Sequence, residues 1–134
     1  MKLLNTFVVV ALVMVLFTSC VRYLVGQRQV KLCNDLATIN NAILTLRAAN
    51  ATVRDMKQAM AQTGKALKTL QSFSRRDGPE ADIQAIEAAY QDLGEVINQI
   101  PAQSTVSQIT TVIENKVTTL DTAVTRTKSR LRCP

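Results

Sequence analysis

From Leu32 onward the apolar residues fall at steps of three and four: Leu32, Leu36, Ile39, Ile43 and Leu46, then Val53, Met60 and Leu67. That spacing is the seam of a helix packed along one face. Asn50, Lys57 and Gly64 interrupt one row of it, and Met56 and Leu70 sit beside the gaps, so the apolar stripe rolls sideways. The pattern predicts a first helix over about 28–75, with Arg75 and Arg76 placed where the negative end of the helix dipole favours them. Asp77-Gly78-Pro79-Glu80 punctuates the chain: glycine breaks the helix, and proline suits the first position of the next. A second helix over about 79–100 then carries Ile83, Ile86, Tyr90, Leu93, Ile97 and Ile100, with Glu80 and Asp82 in its first turn. Past Pro101 the phase shifts. Ser104 is the expected cap of a third helix over about 104–131, whose seam is Val106, Ile109, Ile113, Leu120, Val124 and Leu131.

The expected fold is therefore all-α, a hydrophobic N-terminal leader or anchor (1–25) followed by one helical, coiled-coil-like domain (26–134). Two arrangements of three helices fit. In a long antiparallel hairpin, helix 1, about 42 residues and ~63 Å long from the start of its seam at Leu32 to near Ser74, packs against helices 2 and 3 returning in tandem. In a three-helix up-down-up bundle, helix 3 heads away from the start of helix 1. The cysteines favour the hairpin. Cys33 and Cys133 read as a disulfide if the domain is exported, and a disulfide requires Cα atoms within ~7 Å. Closing so long a loop contributes up to ~4.7 kcal/mol in the chain-entropy picture.

Charge supports the same pairing. Helix 1 carries Arg47, Arg54, Lys57, Lys65 and Lys68 against Asp35 and Asp55, whereas 77–95 holds six acids and no base. An acidic helix 2 lying on a basic helix 1 would select partner and register, each exposed pair contributing below ~1 kcal/mol.

The N-terminus speaks to location. Met1-Lys2 precedes an apolar run, Phe7 to Phe17, that ends in Phe17-Thr18-Ser19-Cys20. A basic start, an apolar core and small residues before a cut site make an export signal. Thr18-Ser19-Cys20 resembles the lipobox of bacterial lipoproteins, which implies lipidation of Cys20; Phe17 stands where that motif usually has Leu. Two other fates fit as well: an uncleaved anchor over Leu3–Val21, and a secretory signal cut near Ser19. In the anchor reading, Arg22, Arg28 and Lys31 after the span outweigh Lys2 before it, a bias toward a cytoplasmic C-terminal side.

The chemistry-bearing residues are few. The 134-residue chain has no His or Trp, so His-based triads and His-ligated metal sites are excluded. Its three cysteines lack CxxC spacing, and no glycine-rich phosphate loop occurs. Asp92 and Glu95 lie three apart on helix 2, as solvated surface acids commonly do. No catalytic residue, metal or cofactor is expected. Asn50-Ala51-Thr52 is a glycosylation sequon relevant only on a eukaryotic secretory route. Net charge is +6, but without aromatic platforms or a docking motif it does not point to nucleic acid.

The sharpest charge feature is the C-terminal run Arg126, Lys128, Arg130 and Arg132. Basic residues suit a helix C-terminus. If the chain ends meet, the run also joins Arg22, Arg28 and Lys31 in a basic collar against anionic lipid headgroups. The expected function is non-enzymatic: a membrane-anchored or exported helical structural or interaction protein of the cell envelope, with a membrane and a protein as partners and room for a homo-oligomer. The layout of anchor, helical region and cysteines resembles that of inner-membrane spanins, which implies a phage lysis or virion membrane role as one alternative. A secreted helical module that holds a small apolar ligand at the interrupted seam is another.

Overall fold

The computed structural model describes residues 26–77, 80–104 and 106–134, leaving aside the side chains of 74–77 and 106. The expectations placed on the leader, on Cys20, on Arg22 and on Gly78-Pro79 lie outside the described residues. Within them the chain is all-α. Helix α1 covers 26–46, α2 Val53–Asp77, α3 Glu80–Gln99 and α4 Val106–Arg130.

The expected continuous helix over 28–75 is thus divided at 47–52, and the long hairpin built on it is corrected. Three short backbone bonds turn the chain there, among them Ala48 N–H to Thr45 O (3.2 Å) and Ala51 N–H to Ala48 O (3.0 Å). Thr52 then caps α2. Its Oγ1 accepts from the Asp55 N–H at 3.2 Å, while the Asp55 carboxylate accepts from both the Thr52 N–H (2.8 Å) and its hydroxyl (2.7 Å). This reciprocal capping box satisfies donors that a helix start leaves open. Ala51 and Met56 occupy the flanking staple positions, and both are buried.

Side-chain register defines the packing of residues 32–134. On α2 and α3, Gly64 faces Tyr90 and Met60 faces Gly94, so the two helices run antiparallel. Between α3 and α4, Asp92 meets Lys116 and Asp82 meets Arg130, again antiparallel. Between α1 and α4, Cys33 is joined to Cys133 and Arg47 pairs with Asp121, antiparallel once more. These four passes run up, down, up and down. An even number of passes returns the tail to the level of Cys33, which a three-helix bundle could not do.

The core takes one broad stripe from each helix: Leu36, Ile39, Ile43 and Leu46; Met56, Met60, Leu67 and Leu70; Ile83, Ile86, Leu93 and Ile97; Ile109, Ile113, Val117, Leu120 and Val124. Full burial of a side chain of this kind is worth ~1.5–3 kcal/mol. Two buried threonines, Thr63 and Thr127, donate to the carbonyls of Ala59 and Ala123, so neither leaves an unmet hydroxyl in the core.

The capping box makes a direct prediction. Thr52→Ala should cost about 1 kcal/mol in a urea titration. The Thr52 hydroxyl, then its N–H, hold the Asp55 carboxyl below the ordinary aspartate value. A lowered folded-state value means that the stabilisation is present above the unfolded-state value and is lost as pH falls through the folded one. The Thr52→Ala difference should therefore shrink in acid; an equal difference at neutral and strongly acidic pH would contradict this account.

Candidate functional site

The cysteine pair and the C-terminal bases lie at the end of the bundle where α4 stops. Helix α4 closes with two linked bonds, Arg132 N–H to Ser129 O (3.2 Å) and Cys133 N–H to Lys128 O (3.0 Å). Together with φ of 53° at Arg132 they form a Schellman turn. Glycine usually fills that left-handed position, because a side chain there costs ~1–2 kcal/mol. The turn brings Cys133 to Cys33, with Cα atoms 5.4 Å apart across a separation of 100 residues. The bond ties the last turn of the domain to α1.

The four C-terminal bases do not form one uniform group. Arg130 reaches across to α3, its Nη1 3.2 Å from Oδ2 of Asp82. The Asp82 side chain is only 7% exposed, against 63% for Arg130, and that Oδ2 makes no hydrogen bond of good geometry. A buried carboxylate without a partner is costly, so the guanidinium and the open N–H groups of the first turn of α3 are what compensate it. Arg126 shares a shallow hollow with Asp82 between α3 and α4. Arg126 and Arg132 are exposed and Lys128 is half-buried. Arg28 and Lys31 are exposed on α1.

The expected pairing of an acidic helix on a basic one takes a different form. Lys65, Lys68 and Glu87 line one shallow groove between α2 and α3, and Lys57 and Glu95 line another. Among the described residues, however, no ion pair joins α2 to α3. The pairs Arg47–Asp121 (2.8 Å), Lys116–Asp92 (3.0 Å) and Arg130–Asp82 all reach α4. The helix carrying the most threonines is the one that receives the cross-links.

The interrupted row was the basis for a ligand site. Asn50 lies in the 47–52 turn, Lys57 is exposed, and Gly64 is covered by Tyr90. A Cβ at Gly64 would lie 2.6 Å from the Tyr90 hydroxyl oxygen and 3.3 Å from Cζ. The gap holds a side chain of the protein itself. Asp92, half of the carboxylate pair on the second helix, is engaged by Lys116.

Sequence reasoning missed two contributors. Asp82 was assigned only to the helix dipole, and nothing local announces that a base 48 positions later will reach it. Thr52 and Asp55 carried the spacing of a capping box, the signal that could have placed the break. Among the described residues, no three His, Cys, Asp or Glu side chains group to hold a metal ion, and no helix is long and apolar enough to cross a membrane. Comparison with protein-family models, curated proteins and solved structures finds no match to this chain.

The Gly64–Tyr90 contact can be tested by a double-mutant cycle. Gly64→Ala alone should give none of the ~1 kcal/mol that alanine normally brings to a helix interior, because the Tyr90 ring must shift. In a Tyr90→Ala background the gain should reappear. A full gain with Tyr90 in place would contradict the packing described.

Proposed function

We propose that this chain is a non-enzymatic structural or interaction protein of the cell envelope, held to a membrane or exported by its N-terminal segment and presenting a helical domain to a protein partner. The observation that carries this reading is the Cys33–Cys133 pair, set at bonding distance by the fold. Such bonds persist in oxidising compartments. It agrees with an export-type leader and a cysteine in a lipobox-like setting. The lack of His and of any catalytic constellation in the sequence supports a binding or structural role.

The domain sits with its Cys133 end toward anionic lipid. Arg126, Lys128 and Arg132 supply the contact, and in sequence Arg22, Arg28 and Lys31 follow the leader closely; each base near such a surface contributes ~1 kcal/mol. Arg130 contributes less, because Asp82 holds it. The low charge of the leader and the +6 of the whole chain suit this division of labour.

Fractionation followed by intact-mass measurement tests the location. The chain should be recovered from the membrane or from the exported fraction, either whole, cut near Ser19, or beginning at a diacylglycerol-bearing Cys20. Recovery of the unprocessed chain from the cytosol, with Cys33 and Cys133 open to alkylation, would overturn the proposal. For the lipid contact, replacing Arg126, Lys128 and Arg132 with Gln should lower binding to anionic vesicles roughly a hundredfold, on the order of 1 kcal/mol per charge. Unchanged binding would refute that contact alone.

A further inference from the structure

We propose that segment 47–52 is a hinge across which α1 passes to a second copy of this chain, giving a domain-swapped dimer beside the closed form. The apolar row of α1 does not stop at the turn. Ile43, Leu46, Ala49, Val53, Met56 and Met60 follow one another at steps of three, three, four, three and four, the rhythm of one continuous helix. Yet the chain reverses there, and Ala49 is exposed. Gly and Pro, the usual breakers, are absent from 47–52, and none of these residues takes a positive φ. Three of the six are alanine, the strongest helix former. The intrinsic preference of the segment is for a straight helix, and it is bent all the same.

A few named contacts keep it closed. At the hinge, the Ala48 and Ala51 N–H groups bond three residues back, and the Thr52–Asp55 box caps α2. Away from it, α1 is held by Leu36, Ile39, Ile43 and Leu46 in the core, by Arg47–Asp121 and by Cys33–Cys133. Every contact of this second group is remade when α1 of one copy docks on α2–α4 of another, because the surface it meets is the same. Exchange therefore changes only the hinge. The closed form has the cap; the open form trades it for a helix continuous from Leu32 to near Ser74, ~63 Å long. This fixes the occupant: a surface shaped to residues 36–46 of this chain accepts the same residues from a second copy. In the dimer the two long helices pass each other at their hinges, where Ala48, Ala49, Asn50, Ala51 and Thr52 are small and uncharged.

The cysteines record which form was present when they closed. Pairing within one chain gives the closed monomer. Pairing of Cys33 of each copy with Cys133 of the other gives a dimer that no longer exchanges. Each bond forms between two thiols as they pass two protons and two electrons to a disulfide oxidant, glutathione disulfide in the test below, which leaves as two thiols. Oxidation at low protein concentration favours the monomer, since a tethered α1 meets its own site first.

Isotope-labelled and unlabelled full chain, mixed in detergent, reduced with dithiothreitol without denaturant and reoxidised with glutathione disulfide at rising protein concentration, test the exchange. The tryptic species of residues 32–47 joined to Cys133-Pro134 should then include a hybrid with one labelled and one unlabelled half. The hybrid should come from a two-copy species, at a share that grows with concentration. Thr52→Ala should raise the dimer-to-monomer ratio, by roughly fivefold for each of the two hinges, because it weakens a cap that only the closed form uses. Ala49→Pro should remove the hybrid and keep the monomer. Proline there breaks a continuous helix, whereas the exposed Ala49 contributes no N–H to the bonds of the turn. Absence of the hybrid from both wild type and Thr52→Ala would overturn the proposal, as would a dimer share no higher in Thr52→Ala than in wild type. So would a hybrid undiminished in Ala49→Pro, the mark of random pairing between opened chains.

Discussion

Joining Cys33 to Cys133 fixes both ends of the helical domain at one pole, and the rest of the arrangement follows from that closure. Helices packed side by side alternate in direction, so ends that meet require an even number of passes. Among the described residues four helices bury an apolar face, and the segment 47–52 provides the extra reversal. The Schellman turn at Arg132 aims the final cysteine.

Around this closure α4 acts as the hub. It contacts α1 through the disulfide and Arg47–Asp121, and α3 through Asp82–Arg130 and Asp92–Lys116. Its many threonines give it modest helix propensity, and several donate to the carbonyl four residues earlier rather than bonding across to another helix. Its stability is therefore tertiary, drawn from the Ile109–Val124 core row and from cross-links to its neighbours. The buried Asp82 ties α3 to α4 through an exposed Arg130, and the desolvation cost of the carboxylate offsets much of what the pair contributes.

The all-α character and the core rows of three of the helices were readable from three-four spacing alone. So was the phase change after Pro101, where Ile109 and Ile113 take over from Leu93 and Ile97. The break at 47–52 was hidden because Ala48, Ala49 and Ala51 are good helix formers and no Gly or Pro marks the site. The Thr52-to-Asp55 spacing announced it. The sideways roll through Met56 and Leu70 carried the same information: a stripe that broad serves a helix with two neighbours, whereas a hairpin needs a narrow seam. Long-range ion pairs were not readable, since Arg130 and Asp82 share no local pattern. The cover over Gly64 was equally out of reach, because a missing side chain in one row does not reveal which residue of another helix fills it.

One covalent constraint, the Cys33–Cys133 bond, closes the domain, and a non-reducing tryptic map tests it directly. Cleavage after Lys31, Arg47 and Arg132 should release residues 32–47 joined to Cys133-Pro134, as one species that splits on reduction. Recovery of Cys33 and Cys133 as separately alkylated peptides from the natively produced, unreduced protein, or of either one joined to Cys20, would contradict the closure on which the four-pass fold has been explained.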